Sequence, residues 1–141
     1  AGGPAALALA AYALLLGGVN LAWGARPVAD AETNADLMKT RWLREAVPPD
    51  AWVTAVSIEE VYFPYFDHLH TLDLRWYEGR VGALRDKVGE LLAAGTPVYV
   101  TSDHLAAGWA DAFAPFKRVE AGTWRGVTLY RLRNGKPNGS R

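Results

Sequence analysis

The first 25 residues, Ala1 to Ala25, carry no charged side chain, whereas Arg26 to Arg141 hold all 15 basic and all 15 acidic residues. A helix from Gly3 to Ala25 would be about 34 Å long at about 1.5 Å per residue, slightly more than the roughly 30 Å of hydrocarbon in a bilayer. A secretory signal would instead open on basic residues and carry a shorter apolar core. The uncharged Ala1-Gly2-Gly3 and the longer apolar run favour a transmembrane helix over residues 1–26, with Trp23 beside Arg26 suited to an interfacial anchor. The chain opens without methionine, so we expect it to begin partway through a longer polypeptide, with this helix the last of several. Asp30, Glu32 and Asp36 lie among Arg26, Lys39, Arg41 and Arg44, which leaves the positive-inside rule too little asymmetry to orient the span.

Beyond the helix, about 115 residues suffice for one domain with its own core. The formal net charge is zero and Lys/Arg runs are short, which argues against nucleic acid and against a polybasic lipid-binding patch. With no cysteine, disulfides and thiolate-ligated metals are excluded. The Gly-, Asn- and Pro-rich stretch 133–141 reads as a disordered tail, which sets the soluble domain at 27–132. The sequon Asn138-Gly139-Ser140 falls in that tail.

Ala31, Ala35, Met38, Trp42 and Leu43 line one face of a helix over 29–46 that Pro48-Pro49 stops. Ala51 to Val56 reads as a buried strand, and Ser57 with Glu60 has the spacing of a capping box for a helix that Pro64 shortens. Thr71 to Trp76 alternates as a strand near a sheet edge. Val81, Leu84, Val88, Leu91 and Leu92 form a helical stripe closed by Gly95 as its C′ residue. Pro97 to Thr101 is a third strand, and Ser102 or Asp103 caps a helix containing Leu105, Trp109 and Phe113 that ends at Pro115. Phe116 to Val119 and Val127 to Leu132 form an antiparallel hairpin turning near Gly122. Strands alternating with helices predict an α/β class: a small Rossmann-like domain with a mostly parallel sheet, helices on both faces and an antiparallel C-terminal hairpin.

Open α/β sheets bind ligands beyond the carboxyl ends of their strands. That edge gathers Ser57, Glu59 and Glu60, then Trp76 and Tyr77, then Ser102, Asp103 and His104; a carboxylate, a histidine and two aromatics there suit binding a sugar or acid–base chemistry, with Glu60, Trp76, Tyr77, Asp103 and His104 as the candidate ligand-binding residues. Ser57/Glu60 and Ser102/Asp103 are equally accounted for as helix caps. A small hydrolase or transferase would use Glu60, Asp103 and His104. His68 and His70 precede the second strand and His104 follows the third, so a shared metal site is not expected. The aromatic run Val61 to Phe66 suits core packing under a short helix. Phosphate-cradling Gly-rich loops and a G-x-S-x-G elbow are lacking, so no cofactor and no catalytic residue is assigned.

Two phrases carry a resemblance: Trp42-Leu43-Arg44-Glu45-Ala46-Val47-Pro48-Pro49-Asp50-Ala51-Trp52-Val53 and Gly95-Thr96-Pro97-Val98-Tyr99-Val100. In this order after a last transmembrane helix, they resemble the carboxy-terminal end of polytopic glycosyltransferases of the glycosyltransferase-C superfold. These are the mannosyl and arabinosyl transferases that draw on a polyprenyl-phosphate sugar. The resemblance implies inverting sugar transfer outside the cytoplasm, an extracytoplasmic domain, the lipid bilayer as partner, and the polyprenyl-phosphate sugar or acceptor met through the transmembrane part. The family's catalytic acid lies in an early loop to which no position here corresponds, so the implied role of this chain is non-catalytic. A single-pass anchored binding or interaction module is the alternative.

Overall fold

The computed structural model describes residues 3–20, 34–67 and 69–135. The chain divides into two compact units, Ala1–Met38 and Lys39–Arg141. In the first, helix α1 (Pro4–Val19) begins on a proline, whose missing N–H falls among groups that lack an intrahelical partner anyway. Leu7, Leu9, Ala10, Tyr12, Ala13, Leu14 and Leu15 are all exposed, and at about 100° per residue they point around the whole circumference. The helix measures about 24 Å, and among the described residues no helix is long and apolar enough to cross a membrane. The expected continuation to Ala25, with Trp23 and Arg26, lies outside the described residues, as do Ala31, His68 and the tail from residue 136. Helix α2 (Ala35–Ala46) starts where the Asn34 Oδ1 accepts the N–H groups of Asp36 and Leu37 at 3.0 and 3.2 Å.

In the second unit, β1 (Trp52–Ala55), helix α3 (Glu59–Asp67), β2 (His70–Asp73), helix α4 (Val81–Ala93) and β3 (Val98–Thr101) follow in order. The long hairpin of β4 (Phe116–Trp124) and β5 (Val127–Asn134) completes the unit. The five strands form one sheet in the order β2-β1-β3-β5-β4. β1 pairs in parallel with β2 and β3, while β5 is antiparallel to both β3 and β4. The α/β class, the parallel core and the antiparallel hairpin are therefore as expected.

Alternation along the strands divides the core between two faces. Val98 and Val100 pack with Leu84, Val88 and Leu91 of α4, while Val53, Ala55 and Tyr99 pack with Leu43 of α2 and Phe63 of α3. The C-terminus of α4 closes as expected. Gly95, at φ +80°, donates to Leu92 O and Thr96 donates to Leu91 O, which completes a Schellman pair.

Four local readings are corrected. Ser57 adopts φ +55°, so α3 opens at Glu59. The reach-back capping bond then comes from Glu59, whose Oε2 accepts the Val56 N–H at 3.1 Å, rather than from Glu60. The helix then runs through Pro64 to Asp67, and of the aromatic run Phe63 is buried whereas Val61 and Tyr65 are exposed.

β2 ends at Asp73, whose Oδ1 accepts the Arg75 N–H and starts a 3₁₀ turn over Leu74–Tyr77, so Trp76 belongs to that turn and not to the strand. After β3 a single helical turn, Ser102–His104, passes into a wider turn over Leu105–Trp109 broken by Gly108 at φ +105°, in place of a continuous helix to Phe113. The N-cap position falls to Thr101, which makes no side-chain capping bond, and Asp103 Oδ1 accepts only the adjacent His104 N–H, at 3.1 Å. Ser102 Oγ instead accepts the Thr128 N–H of β5 at 2.9 Å.

The hairpin turns at Arg125-Gly126, with φ +46° and +83°, the left-handed pair a two-residue turn demands. Gly122 lies within β4 beside a bulge, and β5 extends two residues past the expected Leu132.

Candidate functional site

Crossing from β1 through α3 to β2, and from β2 through α4 to β3, places the strand-order reversal between β1 and β3. The crevice outside their carboxyl ends is where ligands of open α/β sheets bind. Here the crevice is filled by side chains of the chain itself. Lys39 of α2 extends its ammonium to Glu59 Oε1 at 2.5 Å and to Asp103 Oδ2 at 2.6 Å. Glu59 Oε2 lies 2.7 Å from His104 Nε2, and His104 Nδ1 lies 2.7 Å from the Thr54 hydroxyl of β1. A carboxylate only accepts, so Nε2 carries the hydrogen toward Glu59. Both ring nitrogens are thereby engaged, and His104 is 2% exposed. Lys39, Thr54 and Glu59 are also buried, and only Asp103, with 44% of its side chain exposed, meets solvent.

The ionisation of the group follows from these contacts. Burial raises the Glu59 pKa, but the hydrogen bond from His104 and the nearby Lys39 ammonium outweigh it, so the net shift is downward. Asp103 behaves likewise, its burial being outweighed by the bond and charge of Lys39. Burial alone would lower the Lys39 pKa, but the two carboxylates hold it above its ordinary value.

The pH dependence of stability takes its sign from these shifts. The depressed carboxylates contribute stability that is present above their unfolded values of 4.5 and 3.8 and is lost as pH falls through the lower folded values. The raised Lys39 contributes stability that is present below 10.5 and is lost as pH rises through its higher folded value. Denaturation followed against pH is expected to show a plateau between about pH 4.5 and 10.5 from this group, with losses on both sides. A Lys39→Met variant should lose the alkaline limb.

Glu59, Asp103 and His104 each offer a ligand atom, all within 4.8 Å of one another, the donor set of a metal site. The Lys39 ammonium already sits against both carboxylates, so a metal ion would have to displace a cation that is bonded in place.

The five residues singled out in the sequence separate into two groups. Asp103 and His104 belong to the inner network. Glu60 turns outward and pairs with Arg75, at 2.6 Å to Nε and 2.8 Å to Nη2. Trp76 and Tyr77 line a cavity of 440 Å³ together with Trp52, Thr71, Leu72, Asp73, Arg80 and Lys87. Asp73 joins the outer group to that cavity: partial burial and the neighbouring Glu60 carboxyl raise its pKa against the opposing Arg75 N–H. The trio of Glu60, Asp103 and His104 is therefore not assembled as one acid–base set. His70 stands at the amino end of β2, in register with Trp52 and stacked on it at 5.5 Å, at the opposite sheet edge from His104, as expected from a parallel pair.

Sequence reasoning missed Lys39, Thr54, Trp52 and Asp73; it placed Glu59 at this edge but gave the chemistry to Glu60. Lys39 had a signal. It stands four residues before Leu43, inside the stripe of Ala35, Met38 and Trp42, and a cation on an apolar face needs a buried partner.

No family model, curated protein or solved structure matches this chain.

Proposed function

We propose that this chain is the non-catalytic, extracytoplasmic carboxy-terminal domain of a multi-spanning membrane glycosyltransferase that draws its sugar from a polyprenyl phosphate. The observation that carries the membrane-tethered reading is α1: every exposed position around its circumference is apolar, the pattern of a helix solvated by lipid or buried in a core. A non-catalytic role is supported by the crevice between β1 and β3, where Glu59 bonds both Lys39 and His104, His104 also meets the Thr54 hydroxyl, and Asp103 is held by Lys39. The transferase parentage and the extracytoplasmic side rest on the two phrases around Trp42 and Pro97.

Alkaline carbonate extraction of membranes expressing the chain is expected to leave it in the pellet, and a Leu9→Arg/Leu15→Arg variant in the supernatant. Recovery of the unaltered chain in the supernatant overturns the tether. In the intact protein, Asp103→Asn should leave transfer from a polyprenyl-phosphate sugar within about twofold per mole of folded protein. A loss of transfer with the fold retained overturns the non-catalytic role.

A further inference from the structure

The cavity beside the edge strand β2 has features that packing does not require. Trp76 is 72% exposed, although burial of its ring elsewhere would be favourable by several times the thermal energy. It is held in that position. Asp73 Oδ1 starts the 3₁₀ turn by accepting the Arg75 N–H, and the Arg80 guanidinium donates to the Trp76 carbonyl, so the turn carrying the indole is fixed at both ends. Tyr77 follows on the same turn, and Trp52 forms another part of the wall, steadied by its stack on His70 and by Lys87 above its ring at 6.0 Å.

The same cavity is also lined by a carboxylate residue, Asp73, a threonine, Thr71, and two cationic residues, Arg80 and Lys87. The cavity volume of 440 Å³ falls in the range of small-ligand sites.

This combination selects a ligand by its chemistry. An apolar ligand would have to displace water from Asp73, Arg80 and Lys87, charged groups whose bonds to the Arg75 N–H, the Trp76 carbonyl and Glu90 leave further donor and acceptor capacity unused, and would offer nothing in return. A small anion would find the two cations but would meet the Asp73 carboxylate and gain nothing from three aromatic rings. A sugar ring presents both kinds of surface, with C–H groups on one face to lie against an indole and hydroxyls at its rim that donate to a carboxylate and accept from Lys and Arg.

We infer that this groove is a saccharide-binding site, with Trp76 as the stacking platform and Asp73 as the acceptor for sugar hydroxyls. The site deepens the reading proposed above by giving the domain a ligand, the glycan acceptor or product, and rests on that reading only for the sugar's origin. Binding itself follows from the groove.

The test is titration of the full chain, in detergent micelles, with mannotriose and with the uncharged methyl glycosides of mannose, galactose and arabinose, read by amide and indole NMR. At least one probe is expected to shift resonances of Asp73, Trp76 and Tyr77, with millimolar affinity. Trp76→Ala should weaken that binding at least about tenfold, equivalent to 1.4 kcal/mol. Asp73→Asn, which keeps the oxygen that accepts from Arg75, should weaken it while leaving the remaining spectrum unchanged. Val61→Ser, exposed on α3 and away from the groove, should bind as the parent does. Absence of binding by every probe, or binding that Trp76→Ala leaves intact, overturns the site. Either result leaves carbonate extraction unaffected, so failure of the groove and failure of the membrane reading are told apart.

Discussion

Glu59→Ala is expected to destabilise the second unit by about 3 to 5 kcal/mol, the cost of removing one partner from a buried charge pair. Three groups lose their acceptor at once: the Lys39 ammonium, His104 Nε2–H and the Val56 N–H. The ammonium retains Asp103, but as a buried cation it then depends on a carboxylate that is itself part exposed. Glu59→Gln should cost less, since its amide oxygen can still accept from Val56 or Lys39. Lys39→Met combined with Glu59→Gln should recover part of the loss of either single change, because the uncompensated charge disappears with its partner. Urea denaturation of the parent, Lys39→Met, Glu59→Gln and the double variant closes this double-mutant cycle. Additive effects of the two changes would mean that the short Lys39–Glu59 contact carries no coupling.

Phe63→Ala is the second large effect, at about 3 to 5 kcal/mol. Phe63 is fully buried among Leu43, Val53, Ala55, Leu69 and Tyr99, and it is the residue that seats α3 on the sheet. Glu59 begins that same helix, so loosening it also displaces the carboxylate that holds Lys39 and His104 together. The substitution is thus expected to move the His104 imidazole signals of the crevice as well as the denaturation midpoint. Val61→Ser on the exposed side of the same helix should change stability by no more than about 0.5 kcal/mol. Comparable losses for the two variants would show that the face assigned to the core is wrong.

The contrast between these positions shows how far the chain could be read in advance. Strand and helix order were visible because Val53, Ala55, Val98 and Val100 lie in short β-branched runs, while Leu84, Val88 and Leu91 recur at helical spacing. Asp103 and His104 were placed at the right sheet edge for the same reason. Of the two carboxylates expected at that edge, the chemistry was given to Glu60, whereas Glu59 is the one that meets His104 and Lys39. Ser57 takes a left-handed conformation that its spacing to Glu60 does not announce, and this rotates Glu59 inward and Glu60 toward Arg75.

Trp76 was assigned to the end of a strand because the alternation of Leu72 and Leu74 continues through the point where Asp73 folds the backbone into a 3₁₀ turn. Period-two patterning cannot distinguish those conformations over two residues. Lys39 is legible only as a cation within an apolar stripe; its partners come from segments 20 and 64 residues away, beyond the reach of local patterning.

The outer position of β4 has a consequence for how copies of this chain behave when crowded. Among the described residues no strand pairs with its outer edge, which is nine residues long and offers amide and carbonyl groups to a neighbouring backbone. Lys117, Arg118 and Glu120 are exposed on it, and the register break before Gly122 bends the ribbon away from a straight template. A second chain adding there would have to bury those charges and match that bend. The edge therefore resists runaway strand-to-strand polymerisation even where tethering to a surface raises local concentration.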